Sequence, residues 1–189
     1  MDNTELIEKL ANTMGKTKVL KLSNMLAEDN FDIAQLIGLT FHPEKVIGFR
    51  AAWLLENMYP QDQDSFIPHI PLLVSKFKEV TNPSCQRHYA KILMQLTDRK
   101  APKTIKEKIA ETNLEPAIEQ CFDWLIDPEV LVAVKVHAAE ALFNVRMRYT
   151  WINDELPEQL QFLMRDGTMA IQTRGKRLLS QLKPVKKAW

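Results

Sequence analysis

The sequence predicts an all-α protein: a right-handed α-α superhelix (solenoid) of about four helix pairs, with capping helices at its N-terminal end. Three observations predict it. Apolar residues recur near a 3.6-residue period along most of the chain, strand-like alternation is rare, and only 5 of 189 residues are glycine. One decapeptide pattern returns four times without gaps. Its starts are offset by 38, 49 and 37 residues, near the roughly 40-residue unit of stacked helix pairs.

From the N-terminus, residues 4–12 and 17–28 read as two short helices that close the open end of the stack, within a cap at 1–29. Paired helices then follow over 30–60, 64–97, 113–150 and 154–184, so that 1–184 forms one repeat domain and 185–189 a basic tail. The second helix of each pair carries the decapeptide: "FRAAWLLENM" at 49–58, "RHYAKILMQL" at 87–96, "VHAAEALFNV" at 136–145 and "TRGKRLLSQL" at 173–182. Three first helices, "FIPHIPLLVSKF", "LEPAIEQCFDWL" and "ELPEQLQFLM", carry proline at their third position: Pro68, Pro116 and Pro157. Proline suits a first turn, where its missing N–H has no intrahelical acceptor to lose, so each marks a helix start. Pro71 is expected to bend its helix near the N-terminus. The long middle spacing is filled by "DRKAPKTIKEKIAE", an inserted helix within 98–112. Asn82 and Asp127 stand where second helices begin and read as caps.

One stripe explains the recurrence. At about 100° per residue, Ala51, Leu54, Leu55 and Met58 share a face. Their equivalents are Tyr89, Ile92, Leu93 and Leu96, then Ala138, Ala141, Leu142 and Val145, then Gly175, Leu178, Leu179 and Leu182. A helix pair alone cannot cover this stripe, so neighbouring units must stack. Each buried Leu or Ile contributes about 1.5–3 kcal/mol.

On unit length, helix-opening prolines and this second-helix pattern, residues 30–184 resemble HEAT-like and armadillo-like helical repeat proteins. The resemblance implies that the second helices line the concave surface. Two polar columns do not follow from burial: Arg50, His88, His137 and Arg174, and, seven residues later, Asn57, Gln95, Asn144 and Gln181. Seven residues are close to two turns, so both columns run along one flank. Amides offer donors and acceptors that suit an extended peptide backbone, and the resemblance implies such a use for the asparagines. The competing reading has the same groups satisfying loop backbones and pairing with acids of adjacent units. Trp53, roughly opposite the buried stripe, is the aromatic candidate for partner contact, with Trp151 and Trp189 as further anchors.

The function expected is therefore a non-enzymatic scaffold that binds a protein or peptide on its second-helix surface. The alternative is nucleic-acid binding by the basic C-terminal unit through Arg174, Lys176, Arg177, Lys183, Lys186 and Lys187. That reading extends to base-excision chemistry, because some alkylpurine DNA glycosylases are HEAT-like solenoids; the aspartate and tryptophan of "FDWL" fall on a first helix, on the wrong face for it. A net charge of +1 supplies no global field for a polyanion. No HExxH, CxxC, GxSxG or GxGxxG occurs, and "GKT" at 15–17 lacks the preceding glycine and strand of a phosphate loop. His42, His69, His88 and His137 never fall at close metal-ligand spacing, so neither metal nor cofactor is expected. Cys85 and Cys121 lie in apolar helical patterns and read as reduced core thiols. The acidic start lacks the features of a signal peptide and no run approaches 18 apolar residues, so a cytoplasmic protein is expected.

Overall fold

The structure is a computed structural model that describes residues 1–12 and 15–182. Lys183, Lys186, Lys187, Trp189 and the basic tail at 185–189 lie outside the described residues. Among those described there are eleven α-helices, two short 3-10 helices and no strand. The order is α1 (Asn3–Ala11), α2 (Lys16–Glu28), α3 (Ile33–Leu39), α4 (Lys45–Met58), α5 (Ile70–Ser75), α6 (Pro83–Leu96), α7 (Lys103–Glu111), α8 (Glu115–Ile126), α9 (Val132–Val145), α10 (Ile152–Met164) and α11 (Met169–Gln181). The 3-10 helices Asp64–His69 and Phe77–Glu79 flank α5.

Local chemistry sets several boundaries. Asp2 Oδ1 accepts from Glu5 N at 2.8 Å, Asp32 Oδ1 from Ala34 N at 2.8 Å and Asn82 Oδ1 from Ser84 N at 3.1 Å, which caps α1, α3 and α6. Asn82 also donates from Nδ2 to Lys45 O, 3.0 Å away, and so ties the start of α6 to that of α4. Asn30 has φ 49°, a conformation asparagine tolerates, and this lets Phe31 N return to Leu26 O at 2.9 Å and end α2.

The helices form two rows. α2, α4, α6, α9 and α11 pack successively, each against the next, and α1 also lies on α4. In the second row the 3-10 segment before α5 touches α3, and α5 touches α8; α3, α8 and α10 each lie against the second helix of their own pair. This is a solenoid of four helix pairs closed by α1 and α2. The predicted stripe is its interior: Ala51, Leu54, Leu55, Met58, Tyr89, Ile92, Leu93, Leu96, Ala138, Ala141, Leu142, Val145, Gly175, Leu178 and Leu182 are buried, and Leu179 packs against them partly exposed. Aromatic contacts join units as well. Phe77 lies edge-on to Tyr89 of α6, with ring centroids 5.5 Å apart, and 5.7 Å from Trp124 of α8.

Three sequence expectations are corrected. The "FIPHIPLLVSKF" segment is not one α-helix: Pro68 lies inside a 3-10 turn, and α5 holds only six residues with Pro71 in its first turn. Two ring nitrogens three residues apart remove two donors, so a continuous i→i−4 ladder cannot form there. α10 starts at Ile152 and not at Glu155, placing Pro157 in its sixth position; Asp154 and Glu155 in the first turn favour that start. Asp127 does not cap α9. Its Oδ1 accepts from Glu129 N at 2.8 Å in a local turn, and α9 opens at Val132. The inserted helix α7 is present from Lys103. It packs on the first 3-10 helix and α6, and Arg148 donates to Ile109 O and Thr112 O at 2.8 and 2.9 Å at its C-terminal end.

Candidate functional site

Two members of the cation and imidazole column, His88 and Arg174, join successive second helices. Arg50 of α4 donates from Nη1 to Leu10 O at 2.5 Å and to Asn12 O, tying the end of α1 to α4. His88 of α6 is buried with Nδ1 2.5 Å from Glu56 Oε2 of α4, and Lys91 one turn on donates to Glu56 Oε1. Arg174 of α11 donates to Glu140 Oε2 of α9 at 2.5 Å, and Arg177 one turn on donates to the same oxygen. The same arrangement thus occurs twice: the second and fifth decapeptide positions of one unit enclose an acid of the preceding helix. His137 breaks it. α6 offers Lys91 and Met94 where α4 and α9 offer acids, and His137 Nδ1 is buried without a partner. Burial, with Lys91 nearby, pushes its pKa down to about 4.

The amide column is also largely drawn into the fold. Asn57 Nδ2 donates to Trp53 O at 2.8 Å, and Asn144 Nδ2 to Met94 O at 3.2 Å and Thr97 Oγ1 at 3.3 Å. Gln95 is half-buried and its Oε1 has no partner. Gln181 is exposed. Trp53 is half-buried, stacked on Phe49 with centroids 5.7 Å apart, because Phe49 and Trp53 lie one turn apart on the same flank. Trp151 is 45% exposed and packs at 5.1 Å on Phe122. Lys176 is exposed, and among the described residues no ion pair includes it.

The feature that gathers unspent polar groups lies at the C-terminal ends of α6, α9 and α11. An open groove of about 500 Å³ is lined there by Arg99, Lys100, Asn144, Arg146, Arg177 and Gln181, with the acids Asp98 and Glu140. Both acids are occupied: Glu140 by Arg174 and Arg177, and Asp98 by the N–H of Lys100 at 2.7 Å. Arg146 lies 3.6 Å from the centroid of the Phe143 ring and donates to Phe143 O at 2.6 Å, two contacts that tether its guanidinium. Among the described residues, Arg99, Lys100 and Arg146 make no ion pair.

Asn144 and Gln181 of this groove belong to the sequence-predicted partner surface and Arg177 to the nucleic-acid alternative, whereas Arg99, Lys100 and Arg146 belong to neither. Those three stand just beyond the ends of α6 and α9, outside the aligned decapeptides. The sequence signal that marks them is a cation in the turn after a second helix: Arg146 next to the end of α9, Arg99 and Lys100 three and four residues beyond α6. Burial pushes the Cys85 thiol up to about 12 and raises that of Cys121, and both are free. Among the described residues no cluster of three or more His, Cys, Asp or Glu is placed to hold a metal, and no helix is long and apolar enough to cross a membrane.

The chain belongs to the HEAT-repeat family: the family model for a HEAT repeat domain matches residues 6–182. No match to the chain is found among curated proteins. It is a helical repeat scaffold.

Proposed function

We propose that this chain is a protein-interaction scaffold whose partner lies along the second-helix row and engages the end formed by α6, α9 and α11. The observation that carries this reading is the groove at that end, where exposed cations and the Gln181 amide stand free of partners within the fold. Half of the two polar columns, Arg50, His88, Asn144 and Arg174, instead joins helix to helix, so contact with a partner shifts from the middle of the row to its C-terminal edge. Membership of a repeat family built to present extended surfaces favours the same reading. Residues 1–184 act as one domain in it, and no chemistry is required of the scaffold.

The test is row-selective. Lys176→Glu/Gln181→Glu alters the second-helix row, and Glu158→Lys/Gln161→Lys alters the exposed side of α10. Each form is used for affinity purification from nuclease-treated extract, with bound proteins identified by mass spectrometry. The reading predicts that partner recovery falls with the first pair and persists with the second. Loss confined to the α10 pair, or recovery abolished for the unaltered chain by nuclease, contradicts it; the latter outcome would favour the nucleic-acid surface of Arg174, Lys176, Arg177, Lys183, Lys186 and Lys187.

A further inference from the structure

Resting on that reading, we infer that the groove at the ends of α6, α9 and α11 receives side-chain carboxylates from an acidic segment of the protein partner. Six side chains carry the inference. Arg99 and Lys100 project from the turn after α6, Arg146 from the turn after α9, and Arg177 from α11; Asn144 and Gln181 complete the wall. The two lining acids cancel only part of this charge: Arg174 and Arg177 enclose Glu140, and Asp98 keeps its charge while closing its own turn, but Arg99, Lys100 and Arg146 remain outside any ion pair among the described residues. The local field is therefore positive although the chain carries only +1.

Geometry narrows the ligand further. Arg146 uses one Nη1 donor on Phe143 O, and its Cζ stands 3.6 Å from the centroid of the Phe143 ring. Its remaining donors keep the fork that binds a carboxylate by two parallel hydrogen bonds. Asn144 spends its Nδ2 on Met94 O and Thr97 Oγ1, so Oδ1 is the amide atom left for a backbone N–H of the segment. A groove of about 500 Å³ falls in the range that encloses a drug-sized ligand, so it admits about two or three residues of an extended chain. A single-stranded nucleic acid calls for open aromatic faces on which bases stack, but the ring at this groove, Phe143, lies under Arg146.

Fluorescence anisotropy with labelled octaglutamate and with an eight-nucleotide oligothymidylate tests this on the full chain. The groove is reversed in Arg99→Glu/Lys100→Glu, which changes only exposed turn residues, and weakened in Arg146→Gln. Lys16→Glu/Lys21→Glu makes the same charge change as the first variant at the far end of the row. Far-ultraviolet circular dichroism establishes that each variant folds. Octaglutamate is expected to bind the unaltered chain more tightly than the oligonucleotide at about 0.15 M salt. Its affinity is expected to fall about tenfold or more in both groove variants and to change less than about twofold in the distal one. Equal loss in the groove and distal variants, tighter binding of the oligonucleotide, or no octaglutamate binding overturns the inference. If octaglutamate fails while the row-selective purification still succeeds, the acidic ligand is wrong and the scaffold reading stands.

Discussion

Glu56 and His88 meet across the boundary between the first two helix pairs, Oε2 to Nδ1 at 2.5 Å, with both side chains buried. Burial alone would raise the Glu56 pKa, but hydrogen bonds from His88 and Lys91 outweigh it and hold the carboxyl below its usual range. Removing Glu56 leaves both buried His88 and partly exposed Lys91 without their partner. Glu56→Ala is expected to cost about 3 kcal/mol and to lower the melting temperature by about 6–12 °C. In a double-mutant cycle with His88→Ala, scanning calorimetry should return a coupling of about 1 kcal/mol or more; additive losses would mean the two residues act independently.

A pH dependence follows from the unit that lacks its acid. His137 is held down to about 4 by burial, and it is surrounded by Lys91, Arg174 and Arg87, with Glu56 the opposing charge. Below its ordinary pKa near 6.5 the unfolded chain takes up the proton while the folded chain does not, so stability falls as pH drops from about 6.5 to 4. The loss should be about 2 kcal/mol after allowance for partial exposure. Glu56 adds a second loss only at lower pH: its stabilisation is complete above its unfolded value near 4.5 and disappears as pH falls through its lowered folded value. Urea denaturation at several pH values should give a sloping stability for the natural chain and a flatter one between pH 6.5 and 4.5 for His137→Gln. An unchanged slope in the variant would place the titrating group elsewhere.

Two glycines should respond oppositely to alanine. A Cβ on Gly48 would stand 2.8 Å from Thr40 O, a backbone atom at the end of α3 that cannot move without shifting that helix against α4. A Cβ on Gly38 meets nothing within 4 Å. Gly38→Ala is expected to stabilise by up to about 1 kcal/mol through helix propensity, and Gly48→Ala to destabilise by about 1–3 kcal/mol. Thermal melts of both variants check the pair; stabilisation by Gly48→Ala would mean that α3 and α4 are not so closely packed.

Much of the architecture was legible because burial repeats. The stripe that begins at Ala51, Leu54 and Leu55 recurs at each level, and every equivalent lies inside or at the margin of the core. Prolines were less reliable guides. Pro116 does occupy a first turn, yet Pro157 falls in a helix interior and Pro68 in a 3-10 turn. Proline marks only the loss of one donor, and neighbouring residues such as Asp154 and Glu155 decide where the helix begins. The polar columns were visible, but the partners of His88 and Arg174 were not. Their acids, Glu56 and Glu140, occupy the eighth and fifth places of different decapeptides, so no alignment column contains both. Arg99, Lys100 and Arg146 escaped because they lie in turns, where no periodicity gathers them.

The central claim is that helix pairs stack in order, unit upon unit, with second helices against second helices. Zero-length carbodiimide coupling followed by peptide mass spectrometry tests it most directly, because it joins only amines and carboxylates already in contact. Lys78 Nζ lies 2.6 Å from Glu119 across the second and third units, and Lys91 Nζ touches Glu56 across the first and second. Those two couplings are predicted in the folded chain and should vanish in denaturant. Their absence, together with links between units that are not neighbours in the row, would contradict the stack.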